Sequence, residues 1–293
     1  MKLIITADWH LRATAPRCRT DENWIETQRN ILKQISKYAI QYEAKVCVVG
    51  DIFHTNSDAS FEIINMVQEM ANYLNNHNLD GLYILAGNHD LPYHNSENIN
   101  KSAIGLLLNS DNIFKLNQLV SKKIISAPNF DEEVEDKELV FRHILVMPEE
   151  KRNPLIDCKT PQDLLDETPN AKWIFTGDYH HNFIYKNNNK YVINPGCIIR
   201  QVSDMKDYRC GVYLVDTNND KIEFLQLEDN DDIIDDSYII KDKDREERIE
   251  KFASKLADTN IVSLDFVENV QKSIKENKFS DNLKNTINQL LGV

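Results

Sequence analysis

The sequence predicts an α/β protein: a two-sheet sandwich flanked by helices, with a small helical appendage at the C-terminus. Three observations carry this expectation. Apolar, β-branched runs alternate with helix-period segments up to about residue 90, the pattern of parallel strands joined by crossovers. Shorter, less helical elements follow to about residue 227 and supply a second sheet. Helical patterns return only beyond an acidic stretch that begins near residue 228.

Residues 2–7 form an apolar run that reads as a buried strand ending at Asp8. After a polar loop at 11–21, the segment 22–42 reads as a helix, with Ile25, Ile31, Leu32, Ile35 and Ala39 near helical spacing. Val46-Cys47-Val48-Val49 is the next strand and delivers Gly50-Asp51-Ile52-Phe53-His54. Residues 58–77 make a second helix through Phe61, Ile64, Met66, Val67, Met70 and Leu74, and Leu82-Tyr83-Ile84-Leu85 a third strand ending at Gly87. Parallel sheets of this kind bind ligands beyond the carboxyl ends of their strands, which is where Asp8, Asp51 and Asn88 fall.

In the second half, strands are expected near 119–126, 139–147, 173–176, 183–186, 190–193, 211–216 and 222–227. Asn187-Asn188-Asn189 reads as a hairpin turn, because Asn tolerates positive φ. Helical patterns at 245–257, 265–276 and 280–291 follow, with Ser280 or Asp281 as a cap. The expected division is a catalytic domain at 1–227 and an acidic linker with a helical segment at 228–293, which docks on the catalytic domain or on a partner.

Composition narrows the function classes. The chain of 293 residues is 41% hydrophobic and 28% charged, as in soluble globular proteins. No apolar stretch approaches a membrane span, and the first strand starts at Lys2, so no membrane contact and a cytoplasmic location are expected. The five cysteines are scattered without a CxxC pair, which argues against a disulfide framework or a zinc ribbon. A net charge of −13 opposes unaided binding to a polyanion. Much of the acid lies at 131–138 and 228–236, whereas Arg12, Arg17 and Arg19 cluster after the first motif, so a locally basic mouth is compatible with the total.

The chemistry centres on Asp51. A carboxylate at the exposed end of a buried strand can bridge two metal ions, and Asp8-Trp9-His10, Gly87-Asn88-His89-Asp90 and Gly177-Asp178-Tyr179-His180 offer further ligands, each after a β-run. Carboxylate, amide oxygen and imidazole are the donors that hard divalent ions such as Mn²⁺ or Mg²⁺ accept. Two such ions activate a water and neutralise a phosphoryl group during displacement. Each motif alone is weak; their joint occurrence in this order points to a binuclear metal hydrolase.

Asp8-x-His10, Gly50-Asp51-x-x-His54, Gly87-Asn88-His89-Asp90 and the late Gly-x-x-His resemble the calcineurin-like metallophosphoesterase superfamily. Within it, the chain is most similar to SbcD-type nuclease subunits of double-strand-break repair complexes and their bacteriophage relatives. The resemblance extends over about residues 1–227 and includes Asn194-Pro195-Gly196 and Arg200. It implies a DNA exonuclease/endonuclease with DNA as substrate and an SMC-like ATPase as partner, and it allows a homodimer. It further implies two divalent ions, manganese first and magnesium second. One would be held by Asp8, His10 and His180, and the other by Asn88, Asp178 and a further histidine, with Asp51 shared. His89, paired with Asp90, would touch the scissile phosphate and protonate the leaving oxygen. His54 would assist substrate or ligand orientation, or else sit on the rim as a helix-start histidine.

The chain departs from the family pattern in two places. Asp178 stands where the family usually has a histidine, which adds negative charge and favours Mn²⁺ or Mg²⁺ over Zn²⁺. The further histidine depends on which mid-chain run is the strand: a strand at Ile144–Met147 would put Pro148 at the ligand position, whereas one at Leu139–Phe141 puts His143 there. His143 is the expected ligand, since Pro148 cannot bind metal. Arg12, Arg17 and Arg19 are candidates to grip phosphates, the competing reading being a solvated loop. His94, beside Tyr93, reads as solvent-facing, with substrate contact as the competing reading. The alternative to a nuclease is a stand-alone phosphodiesterase or phosphatase acting on small phosphoesters or phosphoproteins.

Overall fold

The computed structural model describes residues 1–56, 59–152, 154–229, 233–237, 245, 247–251, 266–276 and 279–291. Contacts divide the chain into two units, Met1–Asp235 and Asp236–Val293.

The first unit is a sandwich of two mixed sheets. One is six-stranded, in the order β11-β10-β1-β2-β3-β4, from Lys221–Gln226, Gly211–Asp216, Lys2–Thr6, Lys45–Val49, Leu82–Leu85 and Ile113–Lys115. The other is five-stranded, in the order β5-β6-β7-β9-β8, from Ile125–Ser126, Leu139–His143, Trp173–Gly177, Lys190–Asn194 and Phe183–Asn187. Strands β1 to β4 are mutually parallel, as the alternating strand–helix pattern requires, while β10 runs antiparallel between β1 and β11.

Period-two alternation decides which side chains meet. Leu3 and Ile5 of β1, Cys47 and Val49 of β2 and Tyr213 of β10 face Phe141, Trp173, Phe175 and Ile193 of the other sheet across a dry interlayer. The intervening residues Ile4, Val46, Val48 and Ile84 point the other way, onto Ile31, Leu32 and Ile35 of α1 (Trp24–Tyr42) and Met66, Val67 and Leu74 of α2 (Phe61–Asn75). On the far side, Val140, Ile174 and Val192 pack on Leu164 and Leu165 of α4 (Pro161–Glu167). A short helix α3 (Ala103–Leu107) completes the outer layer through Ile104 and Leu107. Burial on both faces explains the continuous apolar runs, each such Leu, Ile or Phe contributing roughly 1.5–3 kcal/mol.

Both long helices start two or three residues later than expected, at Trp24 and Phe61, each behind a capping side chain. Asn23 accepts from the Glu26 N–H and Ser60 from the Ile63 N–H, satisfying donors left free in the first turn. The hairpin between β8 and β9 turns at Asn188, whose φ is 56°. Two expectations need correction, and one strand was not expected at all. The strand expected at 119–126 shrinks to Ile125–Ser126, because 116–118 form a 3₁₀ turn. The strand expected at 139–147 ends at His143. A three-residue strand, Ile113–Lys115, is too short to produce a visible alternation.

In the second unit, helices α5 (Phe266–Glu276) and α6 (Asp281–Leu291) are described, and Ser280 Oγ accepts from the Leu283 N–H at the start of α6. Of the helix expected at 245–257, residues 247–251 are helical and most of the remainder lies outside the described residues. Among the described residues, no helix is long and apolar enough to cross a membrane.

Candidate metal centre

Every strand that the sequence marks with a candidate ligand ends at one rim of the sandwich. Asp8 follows β1, Asp51 follows β2, Asn88 follows β3, His143 closes β6 and Asp178 follows β7. Asp8, His10, Asp51 and Asp178 all have left-handed backbone, with φ of 50°, 44°, 51° and 81°. Non-glycine residues avoid this region at a cost of about 1 kcal/mol or more each, so the fold holds four strained turns at one place.

His143 shows how the site is built. Its Nδ1 lies 2.8 Å from the Val49 carbonyl, which can only accept, so Nδ1 carries the hydrogen. Nε2 therefore points at the Asn88 Oδ1, 3.1 Å away, and at the Asp51 Oδ2, 3.2 Å away. Asp178 Oδ1 stands 4.0 Å from the same nitrogen. The ring fits because Gly50 and Gly177 leave the space: a Cβ on either would collide with the imidazole.

On the other side of Asp51, His10 Nε2 is 3.7 Å from Oδ2, and His10 and His180 aim their Nε2 atoms at one another across 3.0 Å. His10 Nδ1 is buried without a hydrogen-bond partner among the described residues, and Asp51 Oδ2 is buried with the His143 Nε2 as its near neighbour. The backbone N–H of Asp178 donates to both Asp8 oxygens, at 2.9 and 3.2 Å, and that of His89 to Asp51 Oδ1 at 3.0 Å. Three sets have ligand atoms close enough to share an ion: Asp8, His10 and His180; Asp8, Asp51 and His143; and His10, Asp51 and His89.

Acceptors and lone-pair nitrogens thus converge with too few protons between them, as cation sites require. The electrostatics agree. Burial opposes charge on His143, but Asp51, by its charge and its hydrogen bond, and then Asp8 and Asp178 outweigh it and push its pKa up to about 10. Burial pushes Asp8 up to about 8 and drives His10 down to about 3. Asp51 is buried too, yet the charge and hydrogen bond of His143, then His10 and His89, hold it below the ordinary carboxylate range. The donor set of carboxylates, an amide oxygen and imidazoles suits hard or borderline divalent cations, so the residues present fit a metal.

The remaining candidates divide. His89 anchors its Nδ1 on the His54 carbonyl at 2.6 Å, with its ring centroid 5.0 Å from that of His10. Arg12 places Nη1 3.0 Å from His54 Nε2, and its loop is pinned by Gln28 and Trp24. Arg17 is exposed on the same loop. Arg19 does not reach the mouth: it is buried, bonded to Asp21 and Asp229, and so cannot grip a substrate phosphate. Asp90 is also corrected. Instead of pairing with His89 it is buried and accepts from the backbone N–H groups of Ile52, Phe53 and Gly87, which ties the second and third motifs together. Burial, with the Asp51 charge added, raises its pKa to about 7.

Two supports had no visible signal as such. Gln201 Nε2 donates to the carbonyls of Trp9 and His10, at 3.2 and 3.1 Å, and so holds the first motif. Asn194 Nδ2 bonds the carbonyls on either side of His180, those of Tyr179 and His181, at 2.5 and 2.8 Å. The Asn194-Pro195-Gly196 segment marked the second of these in sequence without revealing its task.

Residues 1–194 match the family model of the calcineurin-like phosphoesterases. The chain belongs to that family. Membership makes it one of a group of metal-dependent phosphoester hydrolases, in keeping with the donor set. Solved structures similar to this phosphoesterase include an archaeal phosphodiesterase, 14% identical over 78% of this chain and 100% of that one, with a TM-score of 0.41. A dimetal phosphatase from Danio rerio is 10% identical over 77% and 95%, with a TM-score of 0.48. A vacuolar protein sorting 29 from Cryptosporidium parvum is 13% identical over 78% and 97%, with a TM-score of 0.36. No match was found among curated proteins.

Proposed function

We propose that this phosphoesterase is a DNA nuclease, an exonuclease/endonuclease subunit of repair or recombination that works in the cytoplasm with an SMC-like ATPase. The observation that supports a two-ion site is Asp51 Oδ2, buried between His10 Nε2 at 3.7 Å and His143 Nε2 at 3.2 Å. Asp8, His10 and His180 would hold one ion and Asn88, His143 and Asp178 the other, with Asp51 shared; manganese suits this set, and magnesium is second. Such a pair, when bound, polarises a phosphoryl oxygen and makes a water nucleophilic near neutral pH.

The chain supplies the rest. With Nδ1 fixed on the His54 carbonyl, His89 presents Nε2 to substrate and is set to protonate the leaving oxygen. Arg12 donates to His54 and offers its remaining N–H groups to a phosphate oxygen, with Arg17 beside it on the loop. A net charge of −13 supports dependence on a partner to hold DNA, a contact for which α5 and α6 are amphipathic candidates. The same charge favours the second reading, a stand-alone phosphodiesterase or phosphatase on small phosphoesters.

The test compares end-labelled linear DNA, a small chromogenic phosphodiester and a phosphomonoester with Mn²⁺, using wild type and Asp51→Ala. The proposal expects diester and DNA cleavage that Asp51→Ala abolishes. Monoester turnover without DNA cleavage, even with the ATPase present, refutes it.

A further inference from the structure

The turn that follows Asn88-His89-Asp90 carries Tyr93, which is 90% exposed, the most open aromatic residue among those described. Tyr93 and His94 are both left-handed, with φ of 58° and 50°. Two consecutive non-glycine residues in that region cost about 1 kcal/mol or more each, and an exposed ring gains no burial to offset it. The conformation is nevertheless firmly held. His94 Nδ1 bonds the Asn88 carbonyl at 2.8 Å, the His94 N–H donates to Leu91 at 3.1 Å, and that of Asn95 to Pro92 at 3.3 Å. Asn56 Nδ2 adds a bond to the Leu91 carbonyl at 3.3 Å. Strain maintained this way at the edge of a site, around a side chain that packs on nothing, points to a task outside the fold.

We infer that Tyr93 is a stacking platform for a nucleobase next to the scissile phosphate, and so a specificity-determining residue; this rests on the nuclease reading above. The His94–Asn88 bond ties the turn that carries the ring to a candidate ligand, and the ring follows His89 by four residues, within reach of a base neighbouring a phosphate held at His89. Stacking on an aromatic face tolerates any base, as a nuclease of general sequence range needs. A ring fixed by backbone hydrogen bonds loses little freedom when a base settles on it.

The experiment uses Tyr93→Phe, Tyr93→Ala and Tyr93→Gly in the full chain with Mn²⁺. The substrates are an oligonucleotide, the same oligonucleotide made abasic beside the cleaved phosphate, and methyl 4-nitrophenyl phosphate. Phe should behave as wild type. Ala and Gly should raise KM for the complete oligonucleotide roughly tenfold, the order expected for one lost stack, with kcat within about twofold. They should leave the abasic oligonucleotide and the small diester unaffected, and Tyr93→Gly should melt no lower than wild type, because glycine accepts the left-handed backbone. An unchanged KM for the complete oligonucleotide, or an equal loss on all three substrates, overturns the inference while leaving the nuclease reading intact. Wild type that cleaves the small diester but, even with the ATPase present, neither oligonucleotide overturns that reading, and this inference with it.

Discussion

Replacing His143 with alanine tests the two-ion reading most directly. The substitution removes an imidazole whose Nε2 faces Asp51 and Asn88, and it leaves His10 and His180 intact on the other side of Asp51. At about 100 times Kd, one bound ion stabilises a fold by about 2.7 kcal/mol, so two independent sites give about twice that. Loss of one site should therefore remove about 2.7 kcal/mol of metal-induced stability, or roughly 5–10 °C in Tm for a chain of this size. The assay is thermal melting with chelator and with Mn²⁺, beside metal content per chain by elemental analysis. Wild type should retain two ions and His143→Ala one. In chelator, where no ion competes, His143 is held protonated by its carboxylate neighbours up to about pH 10. Its folded pKa lies above the ordinary value near 6.5, so its contribution is complete below about pH 6.5 and disappears as the pH rises through about 10. Chelated wild type should lose stability across that window, and His143→Ala should not share the loss. Two ions per His143→Ala chain with an unchanged Mn²⁺-induced shift would refute the assignment.

Three further outcomes are expected. His89→Ala should lower kcat by about 10²–10⁴ while metal content stays at the wild-type level, because its proposed task is proton transfer through Nε2; measured metal loss would contradict that role and favour its place in the set with His10 and Asp51. Gln201→Leu removes two donations to the Trp9 and His10 carbonyls and should weaken Mn²⁺ binding about 10- to 100-fold by titration calorimetry, with the unaltered protein as reference. Asp21→Asn should cost about 2 kcal/mol in urea unfolding at pH 7, less than a fully orphaned buried charge because Asp229 still pairs with Arg19. Burial disfavours the Asp21 charge, but the hydrogen bonds from Arg19 and Thr27 hold its pKa below the ordinary carboxylate range. Its contribution is therefore present above about pH 4 and is lost as the pH falls through the lower folded value, so the gap between variant and wild type should close in acid.

The sequence showed the α/β sandwich because its strands are buried on both faces and its helices are amphipathic, and both properties are periodic. The strand-end carboxylates were visible because each follows an apolar run. His143 was harder: Leu139–Phe141 and Ile144–Met147 are both apolar, and the Val49 carbonyl that fixes its ring lies 94 residues earlier. Arg19 read as a phosphate ligand because it lies nine residues after His10 in an exposed-looking loop, but its carboxylate partner at Asp229 comes from 210 residues away. Asp90 deceived for a similar reason, since its neighbour in the chain is His89 whereas its hydrogen-bond partners include residues 37 and 38 positions earlier. Local patterns report faces and turns; they do not report which distant group satisfies a buried charge.

Strand β1 is made first, yet its neighbour β10 spans Gly211–Asp216, and the two sides of the donor set begin at Asp8 and end at His180. At about 5–20 residues per second, a ribosome delivers β10 roughly 10–40 s after β1. For much of that interval Asp8 and His10 exist without His180, and Asp51 exists without His143 until β6 is made. A stalled or truncated product ending before Asp178 can assemble neither side in full, so it should compete poorly for scarce metal. Ion uptake would then mark the completed chain, and the phosphoesterase would gain its activity only after its last sheet strands leave the ribosome.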